Sequence, residues 1–198
     1  MKLQYKLAPS LLAADFSCLG NEISRIENEG ADYVHIDVMD GLFVPNISIG
    51  LPVIRSVRKC TDMFFDVHLM IQEPMRYIEN FAEAGADGIT IHAEACADID
   101  VVIPYLDRVN MVLLMSVYPG YGGQKFIERI LDKAVALRKY INDNGLDVDI
   151  EMDGGIKLAN AKRVVEAGVN VLVAGTGVFK GDFKENMEGF KKIFEENS

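Results

Sequence analysis

Four side chains in this sequence have the types and the spacing to hold a divalent cation: His35, Asp37, His68 and Asp153. Imidazole nitrogen and carboxylate oxygen suit Zn²⁺, Mn²⁺, Fe²⁺ or Co²⁺ alike, so the set names a class of metal and not one metal. Each residue stands near the C-terminal end of a strand-like stretch. In 33–41, alternation puts Val34, Ile36 and Val38 on one face and His35, Asp37 and Met39 on the other. Residues 64–70 repeat the pattern with Asp66, His68 and Met70, and 148–153 turn Glu151 and Asp153 the same way. A single histidine so placed reads most simply as a hydrogen-bonded core residue. Two imidazoles and two carboxylates from three strands could instead surround one ion and leave positions open for a substrate. The third histidine, His92, fits the set less well and reads as support behind a ligand or as structure. Met39 and Met70 each follow a candidate ligand by two residues. They read either as core packing or as an apolar, water-poor cap over reacting carbon atoms.

A second kind of chemistry is written in glycine. Gly120-Tyr121-Gly122-Gly123, Gly154-Gly155 and Gly175-Thr176-Gly177 follow three successive strand-like stretches and precede helical ones. One such turn would be weak evidence, because turns use glycine for its backbone freedom. Three on one side of a sheet, ahead of helix N-termini, point to backbone N–H groups gathered around a phosphate.

The elements that must position these groups alternate strand and helix throughout, as in βα units around a parallel sheet. Strands are expected at 7–10, 33–41, 64–70, 88–92, 111–117, 148–153 and 169–174. Helices are expected at 19–29, 52–58, 74–84, 98–109 (with Pro104 inside), 127–144, 158–167 and 183–194. Gly30, Gly85, Gly145 and Gly168 close helices just before strands. The polar residues and the other glycine clusters gather at the opposite, strand-C-terminal end. That asymmetry predicts an α/β fold, a TIM-type (βα) barrel of seven strands forming a single domain over 1–198. An open doubly wound sheet is the rival, but it would collect its ligands at one crevice.

Composition narrows the partners. The 198 residues are 49% hydrophobic, enough for one sizeable core and fitting one domain better than two. No apolar run reaches the roughly 18 residues of a membrane span, and the N-terminus lacks a secretory h-region. A net charge of −10, spread along the chain, argues against nucleic acid and anionic membrane as partners. It leaves a phosphorylated substrate open, since backbone amides can hold the anion. Cys18, Cys60 and Cys96 are odd in number and far apart, which fits reduced thiols in a cytoplasmic protein.

The stretches Ala8-Pro9-Ser10-Leu11-Leu12-Ala13-Ala14-Asp15, His35-Ile36-Asp37-Val38-Met39-Asp40-Gly41, Asp66-Val67-His68-Leu69-Met70, Met115-Ser116-Val117-Tyr118-Pro119-Gly120-Tyr121-Gly122-Gly123-Gln124 and Asp153-Gly154-Gly155-Ile156 closely resemble ribulose-phosphate 3-epimerases. The resemblance runs nearly end to end. It implies a (βα)₈ barrel, one divalent metal ion, and interconversion of D-ribulose 5-phosphate and D-xylulose 5-phosphate in the pentose phosphate pathway. On matching positions it implies His35, Asp37, His68 and Asp153 as metal ligands, with Asp37 and Asp153 also the acid/base pair. It further implies Ser10, His68, Met39 and Met70 at the substrate, and Gly120, Tyr121, Gly122, Gly123, Gly154, Gly155, Gly175 and Thr176 around its phosphate. Thr176 stands where most relatives have serine, and the hydroxyl survives. Homo-oligomers are compatible with the resemblance, since related enzymes form dimers and hexamers.

The chain departs from the family at one place. From His92 to Met115 it spans 24 residues, where the family has roughly two dozen more, about one αβ repeat. The fifth strand is missing, and the two flanking half-helices would fuse through Ile103-Pro104. Two alternatives to a competent 3-epimerase therefore stand at this point. One is a non-catalytic or strongly impaired metal- and phosphate-binding variant of the same fold; the other is a 3-epimerase of a hexulose 6-phosphate.

Overall fold

The computed structural model describes residues 3–92 and 110–197. The helix expected at 98–109, the junction at Ile103-Pro104 and Cys96 lie outside the described residues. Among those described, the chain forms two compact units, one of residues 9–92 and 119–121 and the other of 3–8, 110–118 and 122–197. Seven strands are present among the described residues, in two sheets.

The first unit is built on β2 (Tyr33–Met39), β3 (Phe64–Met70) and β4 (Gly88–Ile91), paired in parallel in that order. From residue 34 onward β2 is buried, as is β3 from residue 65, because both faces of these strands are covered. Helices α1 (Leu19–Asn28), α2 (Leu51–Val57) and α3 (Ile78–Ala84) belong to this unit. The first buries Leu19, Ile23 and Ile26, the stripe that its spacing predicts. The helix expected over 74–84 is divided: a 3₁₀ turn, Pro74–Arg76, precedes α3. The Arg76 and Tyr77 N–H groups bond back to the carbonyls three residues earlier, at Glu73 and Pro74, which tightens this stretch before the α-helix begins.

The second unit carries β1 (Lys6–Pro9), β5 (Met111–Met115), β6 (Asp149–Asp153) and β7 (Val171–Ala174), in the order β1-β7-β6-β5. Its helices are α4 (Ile130–Asp143), α5 (Leu158–Glu166), α6 (Thr176–Phe179) and α7 (Phe183–Asn197). Helix α4 starts three residues later than its pattern suggests. The Ile127 N–H is spent on the Ser116 carbonyl at 2.8 Å, and the next bonds close as i→i+3 turns. The four-residue α6 is too short for a periodic signal. Asn170, 1% exposed, ties the base of the sheet together: its Oδ1 accepts from Ile150 N at 2.8 Å, and its Nδ2 donates to Asp149 Oδ1 at 2.6 Å.

One device recurs in both units. Gly85, after α3, has φ +109°, and a Cβ there would lie 2.5 Å from Arg58 Cδ. The Arg58 guanidinium caps the Gly85, Thr61 and Met63 carbonyls and lies 3.9 Å over the Phe65 ring. In the second unit, a Cβ at Gly168 (φ +93°) would lie 2.6 Å from Arg138, whose Nε donates to the Gly168 carbonyl at 2.8 Å. Each arginine covers the helix-to-strand turn of the following βα repeat and leaves no space for a side chain. Gly85→Ala and Gly168→Ala should therefore each exceed the roughly 1–2 kcal/mol that the left-handed backbone alone costs an L-residue. Gly145→Ala, where φ is +63° but nothing lies within 4 Å, should stay within that range. Urea midpoints of the three variants check the ordering.

Candidate metal centre and phosphate loops

Register builds the first cluster. The pairing of β2 with β3 sets His35 beside Asp66 and Asp37 beside His68, and an isolated parallel bridge sets Ser10 beside His35. In a parallel pair, residues in register point to the same face, so these side chains converge by geometry and not by loop conformation. Asp37 is the hub. Its Oδ2 accepts the Ser10 hydroxyl at 2.6 Å, while its Oδ1 lies 3.5 Å from His35 Nε2 and 3.4 Å from His68 Nδ1. His35 Nδ1 bonds Asp66 Oδ2 at 2.6 Å, and His68 Nε2 meets His92 Nε2 at 2.8 Å. His35, Asp66 and His68 are fully buried, and Asp37 nearly so.

The spacing of these atoms bears on whether a cation fits. Separations of 3.4 and 3.5 Å are too long for good hydrogen bonds. They match the edges of a tetrahedron whose metal–ligand arms are about 2.0–2.1 Å, edges of about 3.3–3.4 Å. His35 Nε2, Asp37 Oδ1 and His68 Nδ1 therefore stand as three corners of a site that could hold a metal ion. The other ring nitrogen of each histidine is engaged by Asp66 or His92, the outer support that such ligands require.

The electrostatics agree. Burial works against a charge on His35, yet the Asp66 and Asp37 carboxylates outweigh it and hold its pKa well above the ordinary value. Burial pushes the Asp37 carboxyl up, but His35 and His68 outweigh it and hold the group well below the usual carboxylate range. A pocket that draws a proton onto a buried ring by flanking it with carboxylates draws a divalent cation by the same field.

Met39 and Met70, at the ends of β2 and β3, pack with buried Val44 and against Leu12 and Phe43. They form an apolar patch two residues beyond the ligand candidates. Residues 41–50, the loop after β2, hold the first glycine cluster: Asn46 Nδ2 donates to the Gly120 carbonyl at 2.9 Å, and the Tyr121 hydroxyl to the Pro45 carbonyl at 3.2 Å.

The second unit holds Asp153 and the remaining glycines. Asp153 ends β6, paired with Met115 and Val173, and is half-buried. The turn after it is tight: Ser116 Oγ donates to the Gly154 carbonyl at 2.7 Å, and a Cβ on Gly155 would lie 2.9 Å from Phe126 N. A Cβ on Gly123 would lie 3.8 Å from Thr176 Cγ2, so the first and third clusters meet. They share a cleft of about 360 Å³ with Gly177, Lys157, Lys180 and Asn186, beside the N-terminus of α5. Of the expected phosphate residues, Gly123 and Thr176 line this cleft.

Sequence reasoning passed over four contributors. Asp66 shares the parity of His68 and could have been found by it, because strand register then delivers it to His35. Asp40 stands in a recognised motif without an assigned role; it clamps two loops, accepting from Leu42 N and Phe43 N through Oδ1 and from Gln72 N through Oδ2 at 2.8–2.9 Å. Lys157 and Lys180 carried no pattern, since only the folded cleft brings them together.

Alternating strands and helices, parallel sheets and polar groups at strand C-termini place the chain in the α/β class, with the TIM-type (βα) barrels. Solved structures agree. A KGPDC from Streptococcus mutans matches with a TM-score of 0.67 at 16% identity, covering 99% of both chains. A phosphoribosyl anthranilate isomerase from Thermus thermophilus matches with a TM-score of 0.64 at 14% identity, covering 96% of this chain and 98% of that one. At such identities the likeness is one of fold. Sequence goes further, because the profile of the ribulose-phosphate 3 epimerase family matches residues 6–106 and 97–179. The ribulose-phosphate 3-epimerase of Bacillus subtilis (strain 168) is 46% identical over 199 positions, covering 88% of this chain and 92% of that protein. That of Escherichia coli (strain K12) is 38% identical over 218 positions, covering 98% and 94%. The chain belongs to the ribulose-phosphate 3-epimerase family. An alignment of 218 positions exceeds a 198-residue chain, so gaps open on this chain's side, as a lost repeat requires. Among the described residues no helix is long and apolar enough to cross a membrane.

Two outcomes are expected. Asp66→Asn should weaken binding of Zn²⁺ or Mn²⁺ by about 10–100-fold, since His35 loses the charged acceptor on Nδ1; competition with a chromogenic chelator measures it. The pKa of Asp40 is lowered; burial opposes this, but the N–H groups of Gln72, Phe43 and Leu42 outweigh it. Its stabilising effect is thus present above the ordinary carboxylate pKa and is lost as pH falls through the depressed value. Asp40→Asn should lower the melting temperature at neutral pH, with the difference shrinking on acidification.

Proposed function

We propose that the chain interconverts D-ribulose 5-phosphate and D-xylulose 5-phosphate by inversion at C3, the reaction that names its relatives and belongs to the pentose phosphate pathway. The observation that carries this reading is the buried Asp37 between His35 and His68, with Ser10 on its second oxygen. Asp153, the carboxylate ending β6, is proposed as the fourth ligand and as the partner of Asp37 in proton transfer. Family membership and the quoted motif Asp153-Gly154-Gly155-Ile156 support that assignment.

Inversion next to a carbonyl requires a proton to leave one face of the carbon and another to arrive on the opposite face. Asp37 is held ionised by its two imidazoles, the state a base needs. Asp153 then serves the other face, and the two exchange roles for the reverse reaction. A divalent ion (Zn, Mn, Fe or Co) held by His35, Asp37, His68 and Asp153 supplies Lewis-acid stabilisation of the negative charge that develops on the substrate oxygens. Met39 and Met70 offer an apolar surface that keeps water from the carbanionic carbon. The glycine turns at 120–123, 154–155 and 175–176 present backbone N–H groups to the phosphate, with the Thr176 hydroxyl beside them. The cleft at Gly123 and Thr176 supports this part of the reading, and its two lysines suit an anion in a chain of net charge −10.

The exchange of the C3 proton with solvent deuterium, followed by NMR on the metal-loaded protein, tests the reading directly. The unaltered chain should exchange that proton. Asp37→Asn should slow exchange by at least about 100-fold, the lower bound for loss of a positioned acid or base. Undiminished exchange in the variant would remove Asp37 from the chemistry. A wild-type chain that binds metal but neither exchanges nor epimerises would identify the impaired variant that the lost repeat allows. Faster turnover of a hexulose 6-phosphate would move the substrate.

A further inference from the structure

His92 is the histidine that the proposed chemistry leaves unused. It follows β4 directly, and the register His68↔Thr90 puts it one pleat beyond His68 on the same face. It is 7% exposed. Its ring stacks on that of His68, with centroids 4.9 Å apart and planes 28° from parallel, and the Phe43 ring lies 4.9 Å away from it. The two Nε2 atoms are 2.8 Å apart, a hydrogen-bond distance between two nitrogens of which only one can carry the shared hydrogen.

Two arrangements satisfy that contact. If His92 donates, His68 must carry its own hydrogen on Nδ1, aimed at Asp37 Oδ1. That separation is 3.4 Å, long for a hydrogen bond, and the hydrogen would occupy the nitrogen that a cation needs. If His68 donates from Nε2, its Nδ1 presents a lone pair in the direction of Asp37, toward the corner that a cation would share with His35 Nε2. We infer that His92 is a positioning residue: by accepting the Nε2–H of His68, it holds that ring in the tautomer whose Nδ1 can ligate a cation. The inference rests on the reading of His35, Asp37 and His68 as cation ligands. It adds the group that decides which nitrogen of His68 does the ligating. Asp66 does the corresponding work for His35 with a charge; His92 does it with a neutral lone pair. The pocket thereby gains an acceptor without a third carboxylate.

The full chain, loaded with Zn²⁺ alone, provides the test. In ¹⁵N–¹H correlation spectra, His68 should carry its hydrogen on Nε2 and His92 on Nδ1. Finding the His68 hydrogen on Nδ1 would overturn the inference without any variant. His92→Phe keeps a flat ring in the stack and removes the acceptor, whereas His92→Gln restores a neutral acceptor. The first should weaken Zn²⁺ binding by about 10–100-fold and the second should recover most of that loss. A merely structural role would give a lowered melting temperature in both variants with Zn²⁺ affinity unmoved, and that result would also overturn it. If the unaltered chain binds neither Zn²⁺ nor Mn²⁺, the cation reading itself falls and the inference with it. If it binds and His92→Phe binds equally well, only the inference falls.

Discussion

A carboxylate buried between two imidazoles is costly unless something pays for its charge, and much of the first unit is arranged around that constraint. Asp37 has its lone pairs directed at Ser10, His35 and His68, and each of these is held in turn. Removing an ion from water costs several kcal/mol even after relaxation, so an unpaired Asp37 would be untenable here. His35 and His68 offset its charge, with their nitrogens standing at coordination-edge distances. They define an electrostatic hollow that could hold a metal ion. Parallel register is what makes the hollow reproducible: β2 and β3 pair residue for residue from Tyr33↔Phe64 to Met39↔Met70, so ligands two apart on each strand stay aligned.

Much of this was legible in the sequence because strands have a period of two. The parity of His35 with Asp37 and of Asp66 with His68 could be read directly, and the β3 bounds match the expected stretch, while β2 ends at Met39, two residues before the expected end. Glycine caps were legible for a similar reason, since Gly30, Gly85, Gly145 and Gly168 all adopt positive φ at helix ends. What escaped were relations between strands. Whether Asp66 supports His35 depends on the stagger of β3 against β2, which no single stretch encodes. The His68–His92 contact likewise needs the β3–β4 register. The late start of α4 was hidden because its first turn is drawn off by Ser116, a residue eleven positions earlier. Local propensity cannot anticipate a tertiary bond of that kind.

The lost repeat can be weighed in the same terms. The family profile matches in two segments that overlap at residues 97–106, and the alignment with the Escherichia coli relative outruns the chain. The loss therefore falls between His92 and Met115, and it divides the chemistry by kind. Ser10, His35, Asp37, Asp66, His68 and His92 all precede it, within one unit whose strands are consecutive in sequence. The glycine turns and Asp153 all follow it. The imidazole cluster depends on β2-β3-β4, and Asp153 and the later glycine turns on β6-β7 with α5 and α6, while Gly120 and Tyr121 are tied to the loop after β2.

Deletion of one repeat thus leaves the candidate ligands His35, Asp37 and His68 in their local setting. On the proposed reading, such a deletion is felt where the chemistry needs residues from both units. Catalysis is less forgiving of that than binding, since an ångström of misplacement between reacting groups can cost on the order of 100-fold in rate. Metal binding through His35, Asp37 and His68 draws on one unit, and an anion at Gly123, Thr176 and Lys157 draws on the other. The proposed proton transfer pairs Asp37 of one unit with Asp153 of the other. Binding and turnover should consequently part company in this chain before either is lost within a unit. The proton-exchange rate, which under the proposed function needs both aspartates, is the quantity in which the missing repeat would first be felt.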